Sequence, residues 1–193
     1  GDIAFSGKTE EYAKAKEFID KIALFCNVNV ERIFIIPGNH DVDRSKIEKK
    51  FINWYYKFTK EEELNDVLTT SQAMEVIKGG TNAYFEFLKH YMSGKNSIGD
   101  LGQFVATVPF GQNGLSLKII GLNSSLFCGY DGDDQKKLAL GLSQVNDCSE
   151  NIDSNKDIVI SCVHHPFECF HSCEAPTLSL LERISDIILS GHV

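Results

Sequence analysis

Apolar positions along this chain change their period several times, and each change marks an element. Ala15, Phe18, Ile19, Ile22, Phe25 and Cys26 recur at helical spacing, which predicts a helix covering a core with one face. Thr9 is its candidate cap, and Glu10 and Glu11 fall in the first turn, where carboxylates favour the positive end of the helix dipole. Ile33-Phe34-Ile35-Ile36 is a continuous apolar run, as expected of a short strand buried on both faces. Helical period then returns. Ser45 and Glu48 have the capping-box spacing, and Ile47, Phe51, Trp54, Tyr55 and Phe58 follow at helical intervals. Further helical segments are predicted near 61–68, 71–78 and 81–92. Residues 44–103 therefore read as a helical insertion between strands, sized for a cap beside a site, with its aromatics assigned to core packing.

Strand character resumes at Phe104–Phe110 and Leu115–Leu122, which flank the turn residues Gly111-Gln112-Asn113-Gly114 and predict a hairpin. Asp157–Val163 and Ile187–Ser190 are apolar strands, separated by a helix near 176–185 with Pro176 suited to its first turn. No internal repeat or low-complexity segment interrupts the pattern.

Composition narrows the class. At 193 residues, with 42% hydrophobic and 24% charged positions, the expectation is one α/β domain over 1–193. No apolar run reaches the roughly 18 residues of a membrane span, and no secretory leader stands at the start, so a soluble, cytoplasmic protein is expected. Of the six cysteines, Cys26, Cys128, Cys148 and Cys162 lie in or beside apolar segments without the spacing of a disulfide scaffold. They read as reduced core residues, which fits a reducing compartment. The net charge of −8 argues against a basic groove that wraps nucleic acid. It leaves phosphate chemistry open, because two bound divalent cations would add about four positive charges where a substrate sits.

Candidate chemistry collects at the ends of the apolar segments. Gly38-Asn39-His40-Asp41 follows the Ile33–Ile36 run, His164-His165-Pro166 follows the strand near 157–163, and Gly191-His192 follows the strand near 187–190, while the chain opens with Gly1-Asp2. An amide oxygen, imidazoles and carboxylates at one sheet edge stand where α/β proteins gather ligands. A lone Asp or His would read as a turn cap or a satisfied polar group; four such blocks in this order do not.

Their order and spacing resemble the calcineurin-like metallophosphoesterases, whose signature runs D-x-H, G-D, G-N-H-D/E, H and G-H-x-H. The resemblance implies an α/β/β/α sandwich of two sheets flanked by helices, here with the 44–103 cap inserted, and a centre of two divalent ions (Mn, Fe, Zn or Mg). Such paired ions, about 3.5–4 Å apart, lower the pKa of a bridging water and clamp the transferred phosphoryl group. By that resemblance Asp2 bridges both ions, and Asn39, His164 and His192 complete the second ion's protein ligands. His164 is preferred to His165 because the family's H-x-P pattern places the ligand two residues before the proline. His40 is implied as the catalytic acid that protonates the leaving alkoxide or stabilises phosphoryl charge, with Asp41 orienting its ring. The D-x-H block would precede Gly1 and the last signature histidine would be residue 194. Together these would supply three of the first ion's four ligands, so the resemblance implies a segment of a longer polypeptide.

GDIAFSG, GNHDVDR and the HHP block look most like bacterial phosphodiesterases related to cyclic-nucleotide hydrolases, which implies a phosphodiester substrate, possibly a cyclic nucleotide, and metal-dependent hydrolysis. A DNA nuclease of the same superfamily, disfavoured by the acidic balance, and a non-catalytic phosphate- or nucleotide-sensing module are the alternatives. Three other motifs are set aside. Ser6-Gly7-Lys8-Thr9 imitates a P-loop end, but Gly1 stands one residue too far from Gly7. Asp131-Gly132-Asp133-Asp134 lacks the later glycine and glutamate of a calcium loop. Cys169, His171 and Cys173 have one-residue gaps and no second pair, poor spacing for structural zinc.

Overall fold

Strands β1 (Phe104–Phe110) and β2 (Leu115–Gly121) pair antiparallel, with Phe104 opposite Gly121 and Phe110 opposite Leu115. A computed structural model describes residues 1–47, 57–92, 98–111, 114–128, 135–150 and 152–192. Gln112 and Asn113 of the predicted turn, residues 48–56 of the predicted helix and the Asp131–Asp134 motif lie outside the described residues. The other edge of β2 carries β3 (Asp157–Cys162) in parallel, and β3 carries β4 (Ile187–Leu189) in parallel, giving the order β1-β2-β3-β4. The fold is mixed α/β, as expected. Among the described residues the strands form one sheet, where the resemblance implied two. Helix α5 (Ala175–Ile184) crosses between β3 and β4, the connection that parallel neighbours require.

Helices α1 (Thr9–Phe25), α2 (Glu61–Thr69), α3 (Ser71–Met92) and α4 (Leu142–Ser149) are the described α-helices that precede α5. One apolar cluster joins the sheet to α4 and α5 through Ile120, Val145, Cys148, Val159 and Leu181. A second joins α1 and α3 to the loops before the sheet through Tyr12, Ile35, Tyr84, Phe87, Leu88 and Phe104. Within the predicted insertion, α2 packs through Leu64 and Leu68 into a third cluster with Ile77, Leu126 and Phe127, and Tyr84, Phe87 and Tyr91 of α3 are buried, as their assignment to packing required. Each fully buried side chain of this size contributes about 1.5–3 kcal/mol of apolar transfer. The expected pair of helices at 71–78 and 81–92 is one helix that runs through Gly79 and Gly80. Glycine there costs about 1 kcal/mol relative to alanine, and Gly80 is tolerated because Ile47 and Val42 close against it while its carbonyl accepts the Asp43 N–H at 2.8 Å.

Three expectations are corrected. Residues 33–36 form no ladder among the described residues. Ile33 leaves a short turn extended (φ −99°, ψ 120°), and the Tyr84 hydroxyl donates to the Ile35 carbonyl at 3.1 Å. A continuous apolar run specifies burial, not pairing, and Ile35 is buried. The face of α1 predicted to cover the core is split: part of it packs inward and part is exposed. Tyr12, Ala15, Ile19 and Ala23 face the core, while Phe18 (65% exposed), Ile22 and Phe25 (93%) face outward, and Cys26 is exposed rather than buried. Both stripes are apolar, so polar anchors select between them: Tyr12 Oη donates to Asp41 Oδ1 at 3.0 Å, and Tyr91 Oη donates to Asp20 Oδ1 at 3.0 Å. Thr9 opens α1 without capping it; the Glu11 carboxylate instead accepts the N–H groups of Ser6 and Lys8, both at 3.0 Å. No helix among the described residues is long and apolar enough to cross a membrane.

Candidate metal centre

The parallel strands β3 and β4 end together, and the segments that follow them are tied. Val163 N–H donates to the Leu189 carbonyl at 2.9 Å, then the His164 carbonyl accepts both Gly191 N–H at 3.0 Å and His192 N–H at 2.8 Å. Two imidazoles far apart in sequence are thereby held above the carboxyl ends of adjacent strands, where open α/β sheets bind ligands. Asn39 arrives on a short 3₁₀ turn, Asn39–Asp41, directly after the buried Ile35–Gly38 segment. Asp2 comes from the opening loop with φ +57°, a left-handed conformation that Asp tolerates better than most residues.

The four meet at one nitrogen. His164 Nε2 lies 3.3 Å from Asp2 Oδ2, 3.3 Å from Asn39 Oδ1 and 3.3 Å from His192 Nδ1. One imidazole N–H satisfies at most one of these neighbours, so a carboxylate oxygen, an amide oxygen and two ring nitrogens crowd their lone pairs into one volume. A cation relieves that crowding, and this mixed O and N donor set suits Mn, Fe and Zn. Burial, offset by the Asp2 carboxylate, holds the His164 pKa down to about 4, which keeps the ring neutral and available as a ligand. Its Nδ1 is buried with no partner among the described residues; a proton there leaves the Nε2 lone pair facing the cluster. A Cβ on Gly38 would overlap Asp2 Oδ1, so only a glycine lets the carboxylate sit where it does. These features fit a divalent cation.

Both ring nitrogens of His165 also have neighbours outside that focus. Its Nδ1 lies 2.7 Å from Ser124 Oγ and its Nε2 3.8 Å from Cys128 Sγ, all fully or nearly fully buried. Burial, reinforced by the neighbouring imidazoles, takes its pKa down to about 3. A nitrogen of its ring nonetheless falls within 4.8 Å of ligand atoms of His164 and His192. Ser124, which the sequence reading passed over, has no local signal; only the fold brings it to His165.

His40 and Asp41 do different work from each other. The Phe5 carbonyl lies 2.7 Å from His40 Nδ1, so Nδ1 carries a proton and Nε2 stands on the side of the ring away from that bond. The His40 backbone N–H donates to Asp2 Oδ1 at 3.1 Å. Asp41 was expected to orient the His40 ring; the Phe5 carbonyl holds it instead. Fully buried, Asp41 accepts the N–H groups of Ile3 (3.2 Å), Ala4 (2.9 Å) and Gly38 (2.9 Å) and the Tyr12 hydroxyl (3.0 Å). Burial pushes its carboxyl pKa up, against the pull of those backbone donors. Asp41 therefore fastens the loop that carries Asp2 to the turn that carries Asn39. Gly7 (φ +68°) completes the fit, since a Cβ there would come 2.5 Å from Asp43 N.

Nearby, Lys8 Nζ donates to Asp43 Oδ1 at 2.7 Å and Ser45 Oγ at 3.1 Å. Burial alone would raise the Asp43 pKa, but the bonds from Lys8 and Ser45 outweigh it and bring it to about 2. The P-loop mimic thus ends in a structural ion pair. His171 Nδ1 and Cys173 Sγ lie 3.0 Å apart, yet the group of His, Cys, Asp and Glu side chains that converges among the described residues is His164, His165 and His192.

Comparison with known proteins agrees with this geometry. The family model for calcineurin-like phosphoesterases matches residues 1–193. A protein of Bacillus subtilis (strain 168) described as an uncharacterized metallophosphoesterase-like protein, YydB, is 23% identical over 201 residues, covering 100% of this chain. The chain spans 39% of that relative's length. No solved structure matches. With the whole chain matched by the family model and the donor blocks brought to one point, the chain belongs to the calcineurin-like phosphoesterase family.

Proposed function

We propose that the protein is a metal-dependent phosphodiesterase with a dinuclear centre. The observation that carries this reading is the convergence of Asp2, Asn39 and His192 on His164 Nε2, each at 3.3 Å. Asn39, His164, His192 and Asp2 Oδ2 would hold one ion, and Asp2 Oδ1, which lies outside that cluster of contacts, is assigned to the second. Bound divalent ions activate water and neutralise charge developing on phosphoryl oxygens. The chain's own residues supply the rest. His40, whose Nδ1–H donates to the Phe5 carbonyl, would as the doubly protonated ring present Nε2–H to the leaving oxygen and pass that proton to it, remaining as the neutral imidazole. The His40 N–H fixes one oxygen of Asp2, and Asp41 keeps the two ligand loops in register.

The contrast between two neighbours tests the assignment in the full-length protein. Asn39→Ala should lose bound metal, measured by elemental analysis after desalting. His40→Ala should keep its metal and lose about 10²–10⁴ in turnover of bis-p-nitrophenyl phosphate. Equal metal loss in both variants would remove His40 from the chemistry, and metal retention in Asn39→Ala would remove Asn39 from the centre.

A further inference from the structure

After β2 the chain carries a serine whose hydroxyl meets one residue in two places. Ser124 Oγ accepts the backbone N–H of His165 at 3.3 Å and lies 2.7 Å from His165 Nδ1. A hydroxyl has one proton and two lone pairs, so both contacts are satisfied together. Both residues are fully buried, and water does not compete for either bond. The serine is itself held. Leu122 N–H donates to the Cys162 carbonyl at 3.0 Å, which keeps the chain beside the end of β3. Asn123 is then fixed by the Gln144 side chain, the Leu101 carbonyl and the Ser125 N–H, at 2.9–3.0 Å.

These bonds act on the peptide unit that joins His164 to His165. Its N–H is the one that Ser124 accepts, and its carbonyl is the one that accepts Gly191 N–H at 3.0 Å and His192 N–H at 2.8 Å. A peptide unit is planar, so a bond on one side sets where the other side points. The His165 ring supplies a second connection. Its centroid lies 4.7 Å from that of His164, edge to face at 84°, and 4.9 Å from that of His192 at 45°. Ser124 is thus joined to both imidazoles of the candidate centre, once through backbone and once through a ring.

We propose that Ser124 is a positioning residue of the metal centre: its hydroxyl fixes the His164–His165 peptide plane and the His165 ring, and thereby the spacing of His164 and His192 as donors to one ion. This rests on the metal-centre reading above. Spacing matters because each imidazole nitrogen must stand at bonding distance from the same ion, about 2.0–2.1 Å for zinc. A pair of rings free to drift apart spends binding energy on being brought together; a pair held by Ser124 does not.

The test measures cobalt binding to the full-length protein, by titration and by the visible absorption of the bound ion, which reports ligand geometry. Ser124→Ala should weaken the binding of one ion about 10–100-fold and shift its absorption bands. Ser161→Ala is the control. It removes another buried hydroxyl, bonded to Ser185 Oγ at 2.7 Å on β3, and should keep parental affinity and spectrum. Ser124→Cys, close in volume but a poor partner for both bonds, should behave as Ser124→Ala does and takes its place if that variant does not fold. Parental affinity and spectrum in the folded Ser124 variant, or an equal loss in Ser161→Ala, would overturn the proposal alone. A parent protein that binds no cobalt would overturn the metal centre and this proposal with it.

Discussion

At the scale of single residues, Asp41 has the most far-reaching contacts in the site, and it touches no candidate ligand side chain. Its carboxylate takes three backbone N–H groups and one phenol while fully buried. Removing it leaves those donors desolvated and unpaired, at about 1–3 kcal/mol each before relaxation. Asp41→Ala should therefore lower unfolding free energy by about 3 kcal/mol or more, and Tyr12→Phe by about 1 kcal/mol, both read from urea midpoints at constant m. An Asp41→Ala protein of parental stability with impaired turnover would return Asp41 to the role of orienting His40. The difference explains what sequence could reveal here. Residue types and their order announced Asp2, Asn39, His164 and His192, because ligand chemistry is carried by the side chains themselves. The duties of Asp41, Phe5, Ser124 and His165 depend on which way a turn points its side chains, and nothing local encodes that.

At the scale of elements, the pattern located the hairpin, the two parallel strands and most helices to within a residue or two. It failed where two solutions satisfy the same periodicity. Helix α1 has apolar stripes on both faces, and hydrogen bonds from Tyr12 and Tyr91 decide which one turns inward. Phe25→Ser, on the outward stripe, should change stability by no more than about 0.5 kcal/mol, whereas Tyr12→Ala should cost about 3 kcal/mol or more. Thermal unfolding of the two variants checks this, and similar losses in both would mean the outward stripe is covered in solution. Helix α4 escaped notice because Leu142, Val145 and Cys148 mark too short a stretch of helical period. What settles it is tertiary: the Gln144 side chain accepts the Asn123 N–H at 2.9 Å and donates to the Asn123 carbonyl at 3.0 Å.

At the scale of the whole molecule, stability should depend on pH through Glu174, whose bonds are to residues outside the candidate centre. Its Oε2 accepts the N–H groups of Leu140 and Gly141, and its Oε1 is buried without a partner among the described residues. Burial raises its pKa from 4.5 to about 7, against those two donors, and Glu61 adds to the rise. Between these values the folded chain binds more protons than the unfolded one, so this group makes stability fall as pH rises from about 4.5 to 7. The full effect is of the order of 3 kcal/mol. Urea titrations across that window, with chelator present, should show this slope in the parent and its loss in Glu174→Gln; an unchanged slope would assign it elsewhere. The two hydrogen bonds that the His164 carbonyl accepts from Gly191 and His192 have a consequence in time. His192 follows His164 by 28 residues, and its imidazole cannot reach the cluster until β4 has zipped onto β3. At about 5–20 residues per second of synthesis, His192 is made one to several seconds after His164. A cation bound before then would lack the His192 donor, so the docking of β4 would complete the set that holds it.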